Sequence, residues 1–421
     1  RTLGLKNSDN KAITGANIRQ FDVVVSRNVS SIQRGFVMGR QLVLNVVDLD
    51  AITRAFANMG RFPLETILAL WDFLAAFPSL RHAWVLLVFR MYGFPAGFCQ
   101  FLEALLFHNF AIFSSRGVQV FLYLILSGIV QGCPSAGMMF AVAADPFFKE
   151  LKTLQLKLKS NDGTPLVAFR GCADDIGAAL ASFRFLSFCK PIFDLAKAYS
   201  GLTLGVKKCV LILADFENFN DSSCKLKGWL AEHIPEWKDF KIAKSNAYLG
   251  PAIGPGANDD LWKRAIDKYW SRVQRVAGLG LSAYFSLLAY NSYCVSCLEY
   301  LMQMYWVPPR LLKLEARALS IILKIPHYAY GIDGPFHLKT YGILSARSLI
   351  AVNLAALFRA SRVTLAGWEK SWRKLVRSLD SRSITSSRSI TLAPPCWEDP
   401  PIASRLFCAF NGFRDNYLLF I

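Results

Sequence analysis

The sequence predicts an α+β fold with a split βαβ arrangement, in which two helices cover a four-stranded sheet. Three observations support this prediction. A nearly continuous apolar run over 64–72 is typical of a strand or a helix covered on both faces, and an acid at the end of such a strand is what a catalytic sheet would have. The apolar runs 166–169 and 176–180 flank a short polar break and indicate a β-hairpin. A helical stretch over 182–199 stops at Gly201, and an apolar strand follows a pair of lysines.

Length and charge set the broad class of the protein. A chain of 421 residues is long enough for two or three subdomains. Its net charge of +18 favours a polyanionic partner, either nucleic acid or an anionic membrane surface. The mean hydropathy of +0.30 is high and raises a membrane alternative. The most apolar stretch, 118–130, is shorter than the roughly 20 residues of a spanning helix, so we expect no membrane span.

The polar break of the hairpin contains two adjacent acids, Asp174 and Asp175. Neighbouring like charges are costly unless a cation binds them, and carboxylates on a rigid turn suit Mg²⁺. By itself the pair predicts only a solvated turn. Three further stretches change this interpretation: Asp72 at the end of an apolar run, a Gly/Pro turn over 127–137 that leads into a helix, and Lys207 with Lys208 before a strand.

In this order, the four stretches resemble the palm motifs of reverse transcriptases from non-LTR (LINE-type) retrotransposons. The matching patterns are Asp-x-x-x-Ala-Phe over 72–77, Gln-Gly-Cys-Pro over 131–134, Ala-Asp-Asp over 173–175 and the Lys-Lys strand over 207–212. Segments 5–11 and 33–40 are similar to the finger blocks of the same family, and 248–250 to its primer-grip turn. The resemblance covers roughly residues 1–325.

The resemblance implies a right-hand polymerase fold with a split-βαβ palm, partial fingers and a helical thumb. The expected domains are partial fingers over 1–62, the palm over 63–245, the primer grip and thumb over 246–330, and a C-terminal extension over 331–421 that is partly linker-like. Because Arg1 resembles the middle of a finger block, we expect a fragment of a longer element.

The resemblance also implies a two-metal nucleotidyl transfer. Asp72 and Asp174 would bridge two Mg²⁺ ions, for which Mn²⁺ could substitute, and Asp175 would support one of them. The backbone carbonyl of Phe73 would complete one metal shell. Lys208 or Lys207 would protonate the leaving pyrophosphate, and the sequence leaves this choice open because adjacent strand residues face opposite sides.

The remaining residues implied by the resemblance contact the substrates. Phe77 matches the steric gate against a ribose 2′-OH, although a core aromatic is nearly as good an interpretation. Gln131 and Gly132 match the turn under the template base and the nucleotide. The implied partners are an RNA template, a DNA primer and deoxynucleoside triphosphates, without a membrane. Protein partners stay open, and analogy with target-primed retroelements suggests an intracellular, nuclear location.

A helix over 259–276 is the clearest in the chain. Its apolar face is predicted at Trp262, Ile266, Tyr269, Val273 and Val276. A neighbouring basic stripe is expected to follow nucleic-acid phosphates, unless it is an ordinary solvated face; its members are Arg264, Lys268, Arg272 and Arg275. Tyr248, Leu249 and Gly250 would form the primer grip.

Several features favour other interpretations. Cys172 stands where the family has Tyr or Phe, and the fingers are incomplete, so the alternative is a catalytically inactive, nucleic-acid-binding remnant. His82 is expected to be a satisfied surface or capping group. The aromatic cluster over 94–113 is predicted to pack in the core. The Cys294 and Cys297 pair is weak evidence for zinc and is interpreted as free thiols.

Overall fold

The computed structural model describes residues 8–59, 62, 64–107, 109–130, 132–214, 218–257, 261–326 and 334–360. The chain divides into two compact units, Arg1–Leu249 and Gly250–Ile421. The start of the predicted fingers, 1–7, lies outside the described residues, and so does the predicted extension over 331–421 except for 334–360.

The first unit contains nine helices and eight strands in its described part. The helices are α1 Ser8–Arg19, α2 Asp22–Asn28, α3 Val43–Asn58, α4 Ala76–Ser79, α5 His82–Met91, α6 Ala96–Leu106, α7 Ala136–Lys157, α8 Leu186–Leu195 and α9 Phe219–His233. The strands are β1 Ile67–Trp71, β2 Phe110–Ser115, β3 Val118–Leu124, β4 Val167–Cys172, β5 Asp175–Leu180, β6 Val210–Leu213, β7 Lys241–Ala243 and β8 Asn246–Ala247.

A five-stranded sheet with the order β4-β5-β1-β6-β7 forms the centre of this unit. The neighbouring pairs are antiparallel from β4 to β6, and β6 pairs with β7 in parallel. Helix α7 lies between β1 and β4 in the chain, and α8 lies between β5 and β6. Four strands and two helices in this order are a split βαβ arrangement, which confirms the α+β prediction and the hairpin. Strand β7 adds a fifth strand that the sequence did not predict.

Strand β1 is buried along its whole length, as its unbroken apolar run predicts. On one face the sheet packs against α7 and α8, where Phe148 of α7 lies against Gly171. On the other face it packs against α3, where Leu49 lies against Gly177. The two glycines admit these side chains because a Cβ atom would lie within 2.5 Å of each. The central strand is therefore fixed by packing on both sides.

The aromatic cluster over 94–113 is only partly in the core, so this prediction is wrong for its second half. Phe98 of α6 is buried, whereas Phe110 and Phe113 of β2 are exposed. The reason is that α6 ends at Leu106, after which the chain pairs with β3 in a two-stranded hairpin with exposed side chains on both strands. In the part of the chain that the structure describes, no helix has the length and apolarity required to cross a membrane.

The second unit is helical. It contains β9 Ala252–Ile253, α10 Lys263–Gly278, α11 Ala283–Ala289, α12 Glu299–Met302 and α13 Pro309–Leu323, and residues 349–360 are also helical. Helix α10 packs against α13 through the predicted apolar face. Trp262, just before the helix, and Tyr269, Val273 and Val276 within it are buried, which confirms that face.

A buried carboxyl group lies in the core of the second unit. Glu315 of α13 accepts hydrogen bonds from the Leu349 nitrogen at 2.8 Å and from the Tyr290 hydroxyl at 3.3 Å. Burial raises the pKa of Glu315 to about 7. The proton on this side chain is therefore coupled to the folding of the unit.

Candidate active site

The register of the sheet brings two of the predicted acids together. Strands β1 and β5 are antiparallel, and Trp71 is paired with Ile176 at the end of the ladder. Asp72 directly follows Trp71 and Asp175 directly precedes Ile176, so the two acids adjoin the last pair of this ladder. Asp174 lies beside them in the β4–β5 turn. Residues that are far apart in the sequence therefore lie near one another where these central strands end.

The segment before the neighbouring strand on the other side supplies the lysine. Strands β1 and β6 pair Leu70 with Val210, but the register shifts beyond this pair, because Phe73 pairs with Leu204 and the Gly205 nitrogen donates to the Asp72 carbonyl. Lys208 therefore lies in the turn before β6 and reaches Asp72 through its side chain. The Lys208 ammonium nitrogen lies 3.5 Å from a carboxylate oxygen of Asp72 and 3.4 Å from the Phe73 carbonyl oxygen. Both charged side chains are about half exposed, 50% and 42%, so the pair is weakly held. Of the two candidate lysines, Lys208 is the one at Asp72.

The segment before β6 fixes the backbone around Asp72. The Gly205 nitrogen donates to the Asp72 carbonyl oxygen at 2.8 Å, and the Leu74 nitrogen donates to the Thr203 carbonyl at 2.9 Å. Phe73 is buried and bridges to Leu204. The aspartate thus projects from a backbone that is held on both sides.

The turn that carries the other two acids is held by Gln33, a residue to which sequence reasoning gave no role. Ala173 has a positive φ of 56°, which is uncommon for a residue with a side chain. The Gln33 amide nitrogen donates to the Ala173 carbonyl at 3.2 Å, and its oxygen accepts from the Ala173 nitrogen at 2.9 Å. The same oxygen accepts from the Gly35 nitrogen at 2.8 Å. The sequence signal was its place at the start of segment 33–40, which resembles a finger block.

A buried ion-pair cluster holds strand β4 behind the turn. The Asp48 carboxylate lies 2.8 Å from Arg34 and 2.7 Å from Arg170. Burial raises the pKa of Asp48, but the charges of Arg170 and Arg34 outweigh it and keep that pKa below its ordinary value. Asn45 also donates to the Gly171 carbonyl at 2.9 Å. Helix α3 and the segment before it therefore anchor the strand that leads to Asp174.

Cys172 lies next to the acids. Burial, followed by the charges of Asp175 and Asp174, raises the pKa of its thiol to about 11. The thiol is therefore protonated at neutral pH and adds no negative charge to the turn. It replaces the aromatic residue of the family that the motifs resemble.

Phe77 is half-buried among aromatic rings. It stacks on Phe140 at 4.6 Å and meets the edge of Phe36 at 5.9 Å between ring centroids. Its carbonyl accepts from the Ile129 nitrogen at 2.9 Å, which ties it to the Gly/Pro turn. In that turn Gly132 has a φ of +92°, and Gln131 lies outside the described residues.

His82 is a satisfied group, but it is buried and not on the surface. Its Nε2 atom lies 2.8 Å from the Gly128 carbonyl oxygen. Burial lowers the pKa of its imidazole in spite of this hydrogen bond. The ring therefore acts as a packing and hydrogen-bonding group between α5 and the Gly/Pro turn.

The residues predicted to grip nucleic acid differ in their accessibility. In the first unit Tyr248 is buried, its hydroxyl lies 3.4 Å from the Arg170 carbonyl, and burial raises its pKa. Its ring therefore supports β4 from inside. Leu249 and Gly250 both have positive φ angles, 51° and 119°, which form a sharp turn.

The basic stripe on α10 is divided between two roles. Arg272 is hydrogen-bonded to the Tyr293 carbonyl, and its guanidinium lies 4.2 Å from the centre of the Tyr293 ring. Arg275 reaches the Tyr293 hydroxyl at 3.3 Å. Arg264 and Lys268 are exposed. Arg272 therefore stabilises the second unit, whereas Arg264, Lys268 and Arg275 are accessible to a ligand.

Asp72, Asp174 and Asp175 are the candidate metal ligands at this site. Within the described ranges, no three His, Cys, Asp or Glu side chains are grouped closely enough to hold a metal ion. In this structure the three acids therefore do not form a ready-made metal cluster. Carboxylate oxygens are nevertheless the type of ligand that Mg²⁺ prefers. A cation there would compete with the Lys208 ammonium for Asp72.

The sequence matches no protein-family model, and no curated protein matches it. Among solved structures, apo telomerase from Candida tropicalis is similar over 90% of this chain and 60% of that chain, with a TM-score of 0.45 and 9% identity. Telomerase from Candida albicans in complex with a TWJ fragment of telomeric RNA is similar over 88% and 55%, with a TM-score of 0.41 and 10% identity. A C-terminally truncated apo telomerase from Candida tropicalis is similar over 60% and 48%, with a TM-score of 0.40 and 11% identity. The chain thus spans about half the length of these proteins, and likeness at this level assigns no function.

Proposed function

We propose that this chain is an RNA-directed DNA polymerase of the LINE type, which adds deoxynucleotides to a primer 3′ end on an RNA template. The observation that supports the proposal is that Asp72 and Asp175 both adjoin the last residue pair of the β1–β5 ladder, while the Lys208 ammonium nitrogen lies 3.5 Å from an Asp72 carboxylate oxygen. Two acids and a lysine from three separate motifs thereby lie near one another at the same end of the central strands. A solvated acidic turn would not require this arrangement.

In this proposal Asp72 and Asp174 would hold two Mg²⁺ ions, or Mn²⁺ in their place, and Asp175 would support one of them. The bound ions would neutralise charge on the attacking and leaving oxygens. The Phe73 carbonyl, which faces Lys208, is a further oxygen donor for this site. Release of Lys208 from Asp72 would free its ammonium group to give a proton to the departing pyrophosphate.

The surrounding residues select and position the substrates. Phe77, held between Phe36 and Phe140, would crowd a ribose 2′-OH and favour deoxynucleotides. Gly132, and with it Gln131, would lie under the template base and the nucleotide, where a missing side chain allows close approach. A nuclear location remains part of the proposal.

The duplex of RNA template and DNA primer would be gripped through its phosphates. The net charge of +18 favours such a polyanion, and the exposed Arg264 and Lys268 of α10 are suitable contacts. Tyr248 would contribute indirectly, because its buried ring supports the strand that carries the acids.

Primer extension on poly(rA)/oligo(dT) with Mg²⁺ tests the proposal. We expect incorporation by the wild-type protein, and its loss in Asp72→Asn and Asp174→Asn without weaker duplex binding. Asp194→Asn is the matched control, because that carboxylate is exposed and pairs only locally with Lys190 on α8. Incorporation no greater than that of Asp174→Asn would contradict the proposal. Duplex binding without incorporation would instead indicate the inactive remnant.

A further inference from the structure

We propose that Gln33 is a positioning residue that holds the Asp174–Asp175 turn in the conformation that presents its carboxylates. The catalytic part of this inference rests on the proposed function, whereas the positioning itself does not. Gln33 belongs to the segment 33–36, which precedes α3 and is far from the acids in the sequence.

The Gln33 side chain makes hydrogen bonds to the backbone of the turn, as the backbone of a neighbouring strand would. Its side-chain amide bonds to both the nitrogen and the carbonyl oxygen of Ala173, the residue directly before Asp174. Ala173 has a left-handed backbone, with φ of 56°, that a residue with a side chain adopts only when its surroundings require it. The Gln33 amide favours this conformation, because both of its hydrogen bonds to Ala173 are made in it.

Because Gln33 is buried, its amide group needs hydrogen-bond partners within the protein. Gln33 is 0% exposed, and a buried amide that loses its partners is strongly disfavoured. The Gly35 nitrogen shares the Gln33 oxygen, which fixes the orientation of the side chain. The main chain is fixed as well, because the Arg34 nitrogen donates to the Gly171 carbonyl at 2.8 Å and the Gly171 nitrogen donates to the Ile32 carbonyl at 2.8 Å. The Gln33 side chain, which holds the turn, is therefore itself fixed in position.

A substitution of Gln33 should change the positions of the Asp174 and Asp175 carboxylates. Without the amide, Ala173 can relax towards ordinary φ angles, and the carboxylates on the following two residues move with it. Misplacement of a reacting group by about 1 Å can cost roughly 100-fold in rate. Binding of the template-primer duplex should be unaffected, because Gln33 is buried.

The test compares Gln33→Met with Gln155→Met. Methionine preserves length and removes hydrogen bonding. Gln155 accepts a hydrogen bond from the Phe169 nitrogen at 2.9 Å, on the same strand but away from the turn. Three quantities are measured: hydrogen exchange of the peptide over 170–177 without substrate, Mn²⁺ binding by electron paramagnetic resonance, and kcat with duplex Kd. For Gln33→Met we expect exchange at least about tenfold faster, Mn²⁺ binding about tenfold weaker, and kcat lower by roughly 10- to 100-fold at unchanged duplex Kd. Gln155→Met should resemble the wild type.

Equal exchange in the two variants would overturn the inference. If the wild-type protein neither binds Mn²⁺ nor extends primers, the proposed function fails, and the exchange comparison still decides whether Gln33 positions the turn. If Gln33→Met does not fold, Gln33→Glu takes its place, since it keeps the acceptor for two nitrogens and, when ionised, replaces the donor to the Ala173 carbonyl by a charged oxygen that repels that carbonyl. Its exchange should then exceed that of the wild type, and wild-type exchange would count against the inference.

Discussion

Gly35→Ala is the sharpest perturbation of the candidate site, because the residue touches the acid turn through its backbone alone. A Cβ atom at this position would lie 2.3 Å from the Ala173 nitrogen and 2.7 Å from the Cys172 carbonyl carbon. Real Cβ contacts are essentially never shorter than 3.0 Å, so the two backbones must separate by at least about 0.7 Å. Neither neighbour is the flexible end of a side chain, so the turn itself must move.

The size of the effect follows from this displacement. A forced shift in a packed region costs about 1–3 kcal/mol of stability. A comparable shift of a catalytic group lowers the rate by roughly 10- to 100-fold. We therefore expect Gly35→Ala to lower the urea midpoint and kcat for primer extension, while the Kd for the duplex stays within about twofold, since Gly35 faces the turn.

Gly228→Ala is the matched control. Gly228 lies in α9, and a Cβ atom there would meet no described heavy atom within 4 Å. Alanine is a better helix former, so this variant should gain about 0.5–1 kcal/mol and keep its rate. Wild-type stability and kcat in Gly35→Ala would refute the reasoning, because they would mean that segment 33–36 can leave the turn without consequence.

Three further predictions concern charge. The folded second unit keeps a proton on Glu315 up to a pKa of about 7, whereas the ordinary value is 4.5, so its stability should fall by up to about 3 kcal/mol as pH rises through this range. Urea unfolding followed by tryptophan fluorescence should show this slope, and Glu315→Gln should flatten it. Lys208→Gln should tighten Mn²⁺ binding, because the ammonium no longer competes for Asp72, yet slow extension about 100-fold; weaker Mn²⁺ binding would contradict the arrangement. Replacing Arg264 and Lys268 by Ala should reduce the salt slope of duplex binding by about one per lost phosphate contact, and an unchanged slope would remove α10 from the interface.

Some features followed from local sequence because they depend on local exposure. The unbroken apolar run of β1, the hairpin around Asp174 and the apolar face of α10 each report which side chains avoid water. The sequence also predicted that Asp72 lies at the end of a strand, because an acidic side chain directly after a buried apolar run is rarely accommodated inside the core. The second half of the aromatic cluster did not follow, since an apolar run alone does not distinguish a covered helix from an exposed hairpin.

The pairings were decided only in three dimensions. Periodicity shows which face of a strand is buried, but not which residues meet across strands, so the choice of Lys208 required the contact of its ammonium group with Asp72. The role of Gln33 depends on hydrogen bonds to Ala173, which lies 140 positions further along the chain. The burial of Tyr248 and the internal contacts of Arg272 likewise depend on neighbours from other elements. The sequence by itself thus determined which residues were candidates for the acidic site, and the tertiary structure determined which of them stand together, because contacts between distant segments leave no periodic trace.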